Sequence, residues 1–93
     1  MGPFIILYHP VAVKKDMPRL DKAAASRIRL AIETKLTTRP ELYGSPLRAT
    51  LKKFWKLRVG DWRVMYEIRG EQVRVLAIAH RSDVYKMIDK RTA

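Results

Sequence analysis

The chain has 93 residues, which predicts one small domain over residues 1–93 and excludes a two-domain or barrel enzyme. Apolar residues make up 47% of the chain and charged residues 31%, a composition typical of a chain that folds alone and unlike that of a disordered one. Twenty Lys and Arg against nine Asp and Glu give a formal charge of +11, so we expect an anionic partner.

Residue types that are rare or missing narrow the chemistry further. The chain has no cysteine, which excludes a disulfide framework, thiol catalysis and cysteine-based zinc sites. Its two histidines, His9 and His80, are too far apart in sequence to form a compact local metal motif. We therefore expect no metal, no cofactor and a cytoplasmic location. The apolar run over residues 4–8 is far shorter than the roughly 20 residues of a membrane span, so neither membrane insertion nor secretion is expected.

The first predicted elements are a strand and a short helix. Residues 4–8, with the sequence FIILY, form a continuous apolar run rich in β-branched and aromatic residues, which predicts a strand buried on both faces. Pro10 suits the first turn of a helix that ends before Pro18. We expect this helix to turn Val13 and Met17 inward.

A longer helix follows and is predicted over residues 20–38. Asp21 is placed to cap it, and Thr-Thr-Arg before Pro40 ends it, because the residue before proline disfavours helical angles. Its apolar positions recur every four residues and are Leu20, Ala24, Ile28, Ile32 and Leu36. The prolines and glycine of residues 40–47 predict a connector.

From residue 54 the apolar pattern changes to a period of two, which predicts an antiparallel meander of three strands. Two-residue turns at Gly60-Asp61 and Gly70-Glu71 connect the strands. The predicted strands span residues 53–59, 62–69 and 72–79. Ser82 is then expected to cap a short helix over residues 83–90.

The two-residue turns also predict which side chains lie opposite each other. Glu67 lies opposite Arg74, an ordinary stabilising pair, whereas Arg58 lies opposite Arg63, and like charges in that position reduce stability. With Lys56 beside them, the arginines form a cationic cluster that can bind phosphate. The alternative is that all three are long, solvated side chains that splay apart.

The same alternation separates the two faces of the sheet. Trp62 is expected to face the helices and Arg63 to face outward. On the last strand, the register places Ala77 and Ala79 on the face of Trp62. The residues of that strand expected on the face of Arg63 are Arg74, Leu76, Ile78 and His80.

The run LRVGDWRVMYEI, followed by the tail AIAHRSDVYK, closely resembles the RelE/ParE superfamily of toxins from type II toxin-antitoxin pairs. The resemblance covers nearly the whole chain. It implies an α+β fold in which an antiparallel β-sheet carries two N-terminal helices on one face and a short C-terminal helix. RelE-type members cut messenger RNA in the ribosomal decoding site, while ParE-type members poison DNA gyrase. Because the two types share the fold, the fold alone does not decide between them.

The resemblance to the RelE branch also implies catalytic residues. Arg63 inside GDWR and Tyr85 inside SDVY match the branch's arginine and tyrosine, and Lys56 and Arg58 inside KLR correspond to its basic pair on the first hairpin strand. The remaining position, near the C-terminus, corresponds to His80 or Arg81. Upstream of the hairpin, the local excess of positive charge predicts RNA-binding residues, which are Arg48, Lys52 and Lys53.

A ribonuclease of this kind needs no metal, because the 2′-OH of the substrate can attack the adjacent phosphate. We expect Arg58 and Arg63 to stabilise the charge of the phosphorane, and Lys56 to stabilise charge or transfer a proton. His80 and Tyr85 are the candidates for proton transfer. The alternatives are a strand-end histidine bonded to backbone and a tyrosine that only packs in the terminal helix.

Three functions therefore remain open from the sequence. The expected one is a toxin that acts as a ribosome-dependent, metal-independent endoribonuclease. The alternatives are a ParE-like gyrase poison and a catalytically inactive basic domain that binds nucleic acid. By resemblance, the partners are a cognate RelB-like antitoxin, the ribosome and messenger RNA, with operator DNA reached only through the antitoxin and no membrane involved.

Overall fold

Five β-strands form one sheet in the spatial order β1-β5-β4-β3-β2. In this computed structural model, which describes residues 2–92, strands β2 to β5 pair with one another in antiparallel fashion, and β1 runs parallel to β5. The strands are β1 (Ile5–Tyr8), β2 (Ser45–Pro46), β3 (Phe54–Val59), β4 (Trp62–Arg69) and β5 (Gln72–His80). The three strands of the predicted meander are confirmed.

Three α-helices and several short helical turns connect the strands. The α-helices are α1 (Lys22–Ala31), α2 (Pro40–Tyr43) and α3 (Val84–Thr92). A π-helical turn, Ile32–Leu36, extends α1, so one helical segment covers most of the predicted span 20–38. Asp21 caps it as expected, since its Oδ1 accepts a hydrogen bond of 2.7 Å from the Ala24 N–H. The predicted connector over residues 40–47 contains α2 and β2. Within residues 2–92, no helix combines the length and apolarity needed to cross a membrane.

Apolar side chains pack on both faces of the sheet. The core on the first face, under α1, consists of Ile28, Ile32, Leu36, Leu57, Val64, Tyr66, Val73, Val75 and Ile78. The core on the second face, under α3, consists of Leu47, Phe54, Met65, Ala77, Ala79, Val84 and Ile88. The C-terminal helix α3 thus packs on part of the face that carries the basic residues, so side chains of α3 lie near those residues.

Two predictions for the N-terminal segment are wrong. Strand β1 is an edge strand whose Ile5 is 59% and Leu7 41% exposed, so it is not buried on both faces. The next segment forms a π-helical turn, Ala12–Asp16, in which Val13 is 51% exposed and Ala12 is buried, so the inward direction of Val13 is wrong. Asp16 takes the inward direction instead, because its carboxylate binds the sheet edge and the last helix. The inward direction of Met17 is confirmed, since it packs against the core under α1.

The register between β4 and β5 shifts by one residue at a β-bulge. From Arg69 opposite Gln72 to Tyr66 opposite Val75 the pairing is as predicted, but Met65 lies opposite Ala77, which leaves Leu76 without a partner in the register. Beyond this point the predicted faces were wrong. Ile78 packs in the core under α1, whereas Ala77 and Ala79 pack in the core under α3.

A buried ion pair binds the outer edge of β5 at this bulge. The carboxylate of Asp16 accepts hydrogen bonds from the Ile78 N–H at 2.9 Å and from both terminal nitrogens of Arg91 at 3.1 Å. Arg91 also donates to the Leu76 carbonyl at 2.7 Å. The Asp16 side chain is 1% and the Arg91 side chain 9% exposed. Two side chains distant in sequence therefore satisfy the carbonyl of Leu76 at the bulge and the N–H of Ile78 two residues beyond it.

Candidate functional site

The hairpin of β3 and β4 places three basic side chains together. Arg58 lies opposite Arg63, and Lys56 lies opposite Met65, as the two-residue turn predicts. Gly60 has φ +62°, whereas Asp61 does not have a positive φ, which is the pattern of a type II′ turn with glycine at its first central position. Trp62 packs against the core under α1, which confirms that it faces the helices. Arg63 therefore points to the opposite face.

A cleft of about 270 Å³ lies beside these side chains. Its lining residues are Tyr43, Gly44, Ser45, Lys56, Arg58 and Arg63. Ser45 of β2 pairs with Lys56, so the segment predicted as a connector supplies one wall. A Cβ atom at Gly44 would lie 1.8 Å from the hydroxyl oxygen of Tyr66, which shows why the chain can pass this close only as glycine.

The positive charge of this cleft is not compensated. Among residues 2–92, no carboxylate lies within 4 Å of a charged nitrogen of Lys56, Arg58 or Arg63. Arg63 Nη1 donates to the carbonyls of Gly60 at 2.9 Å and Trp62 at 2.8 Å, which holds its guanidinium at the hairpin turn. Guanidinium and ammonium groups without carboxylate partners favour a bound anion, and their geometry suits phosphate oxygens.

Tyr85 is held at the edge of this basic face by Arg48. The phenol oxygen accepts hydrogen bonds from Arg48 Nε at 3.1 Å and from the Arg48 backbone N–H at 3.3 Å. The guanidinium carbon lies 4.8 Å from the centre of the ring. The side-chain hydrogen bond from Arg48 lowers the pKa of Tyr85, and the positive charges of Arg48 and Lys56 lower this pKa further. Tyr85 also packs against the core under α3.

His80 lies on the other face of the sheet. The bulge pairs it with Trp62, and the two ring centres are 5.8 Å apart in an edge-to-face contact. Its Nδ1 accepts a hydrogen bond of 3.3 Å from the Ser82 N–H, so His80 caps the turn Arg81–Asp83. The prediction that His80 shares the face of Arg63 is wrong, because the extra residue in β5 reverses the alternation. Ser82, expected to cap the last helix, lies within the turn Arg81–Asp83 that precedes α3.

The remaining predicted residues lie around this face. Arg81 is exposed at the hairpin turn, 3.9 Å from the carboxylate of Asp61. Lys52 and Lys53 are exposed just before β3, and Lys53 Nζ lies 5.0 Å above the ring of Phe54. None of these residues lines the cleft beside Lys56.

The predicted pair between Glu67 and Arg74 is confirmed as a register pair but not as an ion pair. Glu67 binds Arg69 at 2.9 Å, two residues further along the same face of its own strand. Arg74 turns to Gln72, to which its Nε and Nη2 donate. Glu67 is therefore occupied by a different arginine from the one that the register suggested.

Sequence reasoning did not find the contact between Arg48 and Tyr85 or the wall around Gly44. The arginine and the tyrosine are 37 residues apart, and neither forms part of a local motif that includes the other. From the sequence, Gly44 indicates only that residues 40–47 form a connector. Among residues 2–92, no group of three or more His, Cys, Asp and Glu side chains is placed to hold a metal ion.

A family model described as the ParE toxin of type II toxin-antitoxin system, parDE, matches residues 2–85. The chain belongs to the RelE/ParE superfamily of type II toxins. This toxin is 33% identical over 75 residues to the toxin RelE of Mycobacterium tuberculosis, and the alignment covers 78% of this chain and 77% of that relative.

Solved structures agree with this membership. The toxin is similar to a chain of the RelBE2 toxin-antitoxin complex from Mycobacterium tuberculosis, with a TM-score of 0.78, 27% identity and coverage of 89% of this chain and 97% of the other. A mutant of E. coli RelE in the free state gives a TM-score of 0.75 at 18% identity, with both chains fully covered, and this likeness shows the fold alone. The predicted α+β RelE-like fold is confirmed, with β1 as the one parallel addition to the antiparallel sheet.

Proposed function

We propose that this toxin is a ribosome-dependent endoribonuclease that cleaves messenger RNA in the decoding site without a metal. The observation that supports this proposal most is the group of three uncompensated cations, Lys56, Arg58 and Arg63, on one cleft beside a tyrosine of lowered pKa. The identity shared with a named RelE toxin gives independent support.

The chemistry follows from the positions of these side chains. The 2′-oxygen of the substrate loses its proton and attacks the adjacent phosphorus, and the bond from phosphorus to the 5′-oxygen breaks. Arg58 and Arg63 stabilise the additional negative charge on the phosphoryl oxygens, since both remain protonated and carry forked donors. Lys56 donates a proton to the leaving 5′-oxygen. The products are a 2′,3′-cyclic phosphate and a 5′-hydroxyl.

The open shape of the cleft supports the proposed requirement for the ribosome. A hollow of about 270 Å³ on the surface can hold a phosphate and its immediate neighbours but does not enclose a nucleotide. In-line attack requires the 2′-oxygen, the phosphorus and the 5′-oxygen to be aligned. In this proposal the decoding site supplies that alignment by fixing the path of the messenger.

Cleavage assays with purified components test this function. The toxin is incubated with one transcript, free and bound to programmed ribosomes, and the new ends are mapped by primer extension. We expect cuts only on the ribosome and only in the decoding-site codon. Arg58→Ala should lose this cleavage, while Arg27→Ala, which removes an exposed arginine from α1, should retain it. Equal cleavage of free RNA would contradict the ribosome requirement.

Poisoning of DNA gyrase is the second candidate, because the matching family model is named after ParE. The same protein preparation is tested for trapping of gyrase on nicked or cleaved plasmid. Gyrase trapping without transcript cleavage would replace the ribonuclease proposal. Binding to ribosomes or RNA with neither activity would favour a catalytically inactive nucleic-acid-binding domain.

We further propose that a RelB-like antitoxin neutralises the toxin in the cytoplasm and that operator DNA is bound only through it. Two of the similar structures are complexes of a RelE toxin with RelB, from Mycobacterium tuberculosis and Methanococcus jannaschii. A net charge of +11 complements an acidic segment of such a protein. Co-expression with a cognate RelB-like antitoxin should restore growth and yield a stable complex. Growth arrest that persists in its presence would contradict this partner.

A further inference from the structure

The wall of the cleft that α2 and β2 form is held in place at both of its ends. At the start of α2, the buried Tyr66 hydroxyl donates a hydrogen bond of 2.6 Å to the Pro40 carbonyl. Beyond the end of α2, Ser45 pairs with Lys56 in the sheet. Proline at the first position of a helix already has the φ that the helix requires. The last residue of α2, Tyr43, is therefore carried by a backbone whose position is fixed.

Tyr43 exposes its ring on this wall. Its side chain is 48% exposed, the largest value for an aromatic residue within 2–92, and it belongs to neither core. Tyr43 lines the cleft, whereas the neighbouring Leu42, which is 62% exposed, does not. A single exposed apolar residue is ordinary on a protein surface, but this ring borders the cations Lys56, Arg58 and Arg63.

A lysine covers one face of this ring. Lys35 Nζ lies over the Tyr43 ring, 5.7 Å from its centre. Lys35 belongs to the π-helical turn that extends α1, so the contact joins α2 to the preceding helix. The π electrons of the ring attract a cation in this position. The opposite face of the ring remains available for a flat group of a ligand.

The ring and the cations of the cleft match the two parts of a nucleotide. Proteins hold single-stranded RNA with aromatic side chains on which its bases stack, and with cations along its phosphates. Here the cations come from β3 and β4 and the ring comes from α2, and all of them line one cleft. Because the cleft is open, a base on the ring and a phosphate at the cations can belong to one continuous strand.

We propose that Tyr43 is a nucleobase-binding residue: the base beside the scissile phosphate stacks on the open face of its ring while the cations hold the phosphate. The inference deepens the proposed ribonuclease function and rests on it for the identity of the strand as messenger RNA. Every base has a π face, so this contact positions the strand without reading its sequence. Stacking on Tyr43 therefore adds to the alignment of the scissile phosphate on the ribosome.

Oligonucleotides that cannot be cleaved test this contact directly. The probes are a short single strand of deoxyadenosine and a strand with the same number of phosphates in which every base is missing. Both lack the 2′-OH that would attack the phosphate. Affinities are measured by fluorescence anisotropy at low salt, where a charge of +11 favours binding of both strands. Tyr43→Ala should weaken binding of the deoxyadenosine strand about 5- to 150-fold, the effect of losing one stacked base, and should leave binding of the abasic strand unchanged.

Further variants separate the ring from apolar packing. Tyr43→Phe and Tyr43→Trp keep an aromatic ring and should bind the deoxyadenosine strand as the parent does. Tyr43→Leu keeps an apolar side chain without a ring and should behave like Tyr43→Ala. Leu42→Ala is the matched control, because it removes an exposed apolar side chain from the same helix outside the cleft, and it should leave both affinities unchanged. All these variants should keep the parent's midpoint of urea denaturation, since neither residue belongs to a core.

Single-turnover cleavage on programmed ribosomes extends the test to the reaction. Tyr43→Ala should lower the rate constant at saturating toxin, because the scissile phosphate is aligned less well. Tyr43→Trp should restore this rate constant, and Leu42→Ala should retain it.

The two measurements separate the possible failures. Equal affinity of the parent and Tyr43→Ala for the deoxyadenosine strand overturns the nucleobase contact. An equal loss on the abasic strand also overturns it, because the contact would then be to the phosphates. Base-dependent binding combined with unchanged cleavage by Tyr43→Ala overturns only the role in alignment. A parent toxin that binds the strand through Tyr43 but cuts no transcript overturns the proposed ribonuclease function and leaves the nucleobase site standing.

Discussion

The buried ion pair between Asp16 and Arg91 is expected to be the most sensitive point of the fold. It joins the N-terminal segment, the bulge of β5 and the end of α3, and the Asp16 side chain is 1% exposed. Arg91→Met keeps most of the side-chain volume and removes the charge and all the donors. The substitution leaves the Asp16 carboxylate in the interior with one remaining donor, the Ile78 N–H, and leaves the Leu76 carbonyl without its arginine.

The expected loss of stability follows from this burial. Removal of one partner from a buried ion pair costs about 3–5 kcal/mol, because the other charge remains in a medium that solvates it poorly. A domain of this size has a total unfolding free energy of roughly 5–14 kcal/mol. Arg91→Met should therefore remove about a fifth or more of the stability, which corresponds to a fall of about 1–5 M in the midpoint of urea denaturation.

A double-mutant cycle separates the pair from its surroundings. The free energies of unfolding are measured for Asp16→Asn, Arg91→Met and the double variant. We expect the double variant to lose about 2 kcal/mol less than the sum of the single losses, since neither charge is then left alone. Lys90→Met, which removes an exposed cation from the adjacent position of α3, serves as the control and should change stability by less than about 0.5 kcal/mol. If Arg91→Met lowers the unfolding free energy no more than the control does, the conclusion that the buried ion pair stabilises this part of the fold is refuted.

Three further substitutions test the site and the packing. Arg63→Ala should abolish growth arrest and ribosome-dependent cleavage, and its unfolding free energy should stay within about 1 kcal/mol of the parent. The loss of two hydrogen bonds at the turn is offset because the repulsion between Arg63 and Arg58 is removed. Full toxicity or a sharply lowered melting temperature would contradict this. Gly44→Ala should lower the unfolding free energy measured in urea by about 3 kcal/mol, because the added methyl group displaces the buried Tyr66 hydroxyl from the Pro40 carbonyl. A loss below about 1 kcal/mol would contradict the close contact between Gly44 and Tyr66. Val13→Lys should leave the melting temperature unchanged because Val13 is exposed, whereas Ala12→Lys should prevent folding at ordinary temperature because Ala12 is buried. A larger loss from Val13→Lys than from Ala12→Lys would instead support the inward valine expected from the sequence.

Features that depend on residues adjacent along the chain were predictable before the fold was known. The turn at Gly60-Asp61 and the period of two are local, and together they placed Arg58 opposite Arg63 and turned Trp62 towards the helices. The spacing of four residues and the capping Asp21 likewise placed the long helix. These features were predictable because the two-residue turn and the helix period are set by residues that are adjacent in sequence.

The positions of His80 and Arg48 depend on contacts between segments that are far apart in the sequence. The bulge at Leu76 reverses the faces of β5, and it is held by Asp16 and Arg91, which lie 62 residues before Ile78 and 15 residues after Leu76. A bulge leaves backbone groups that need partners, and no signal within the strand shows that distant side chains supply them. The contact between Arg48 and Tyr85 likewise requires the last helix to pack across the sheet, because two residues 37 positions apart meet only when the elements that carry them have docked.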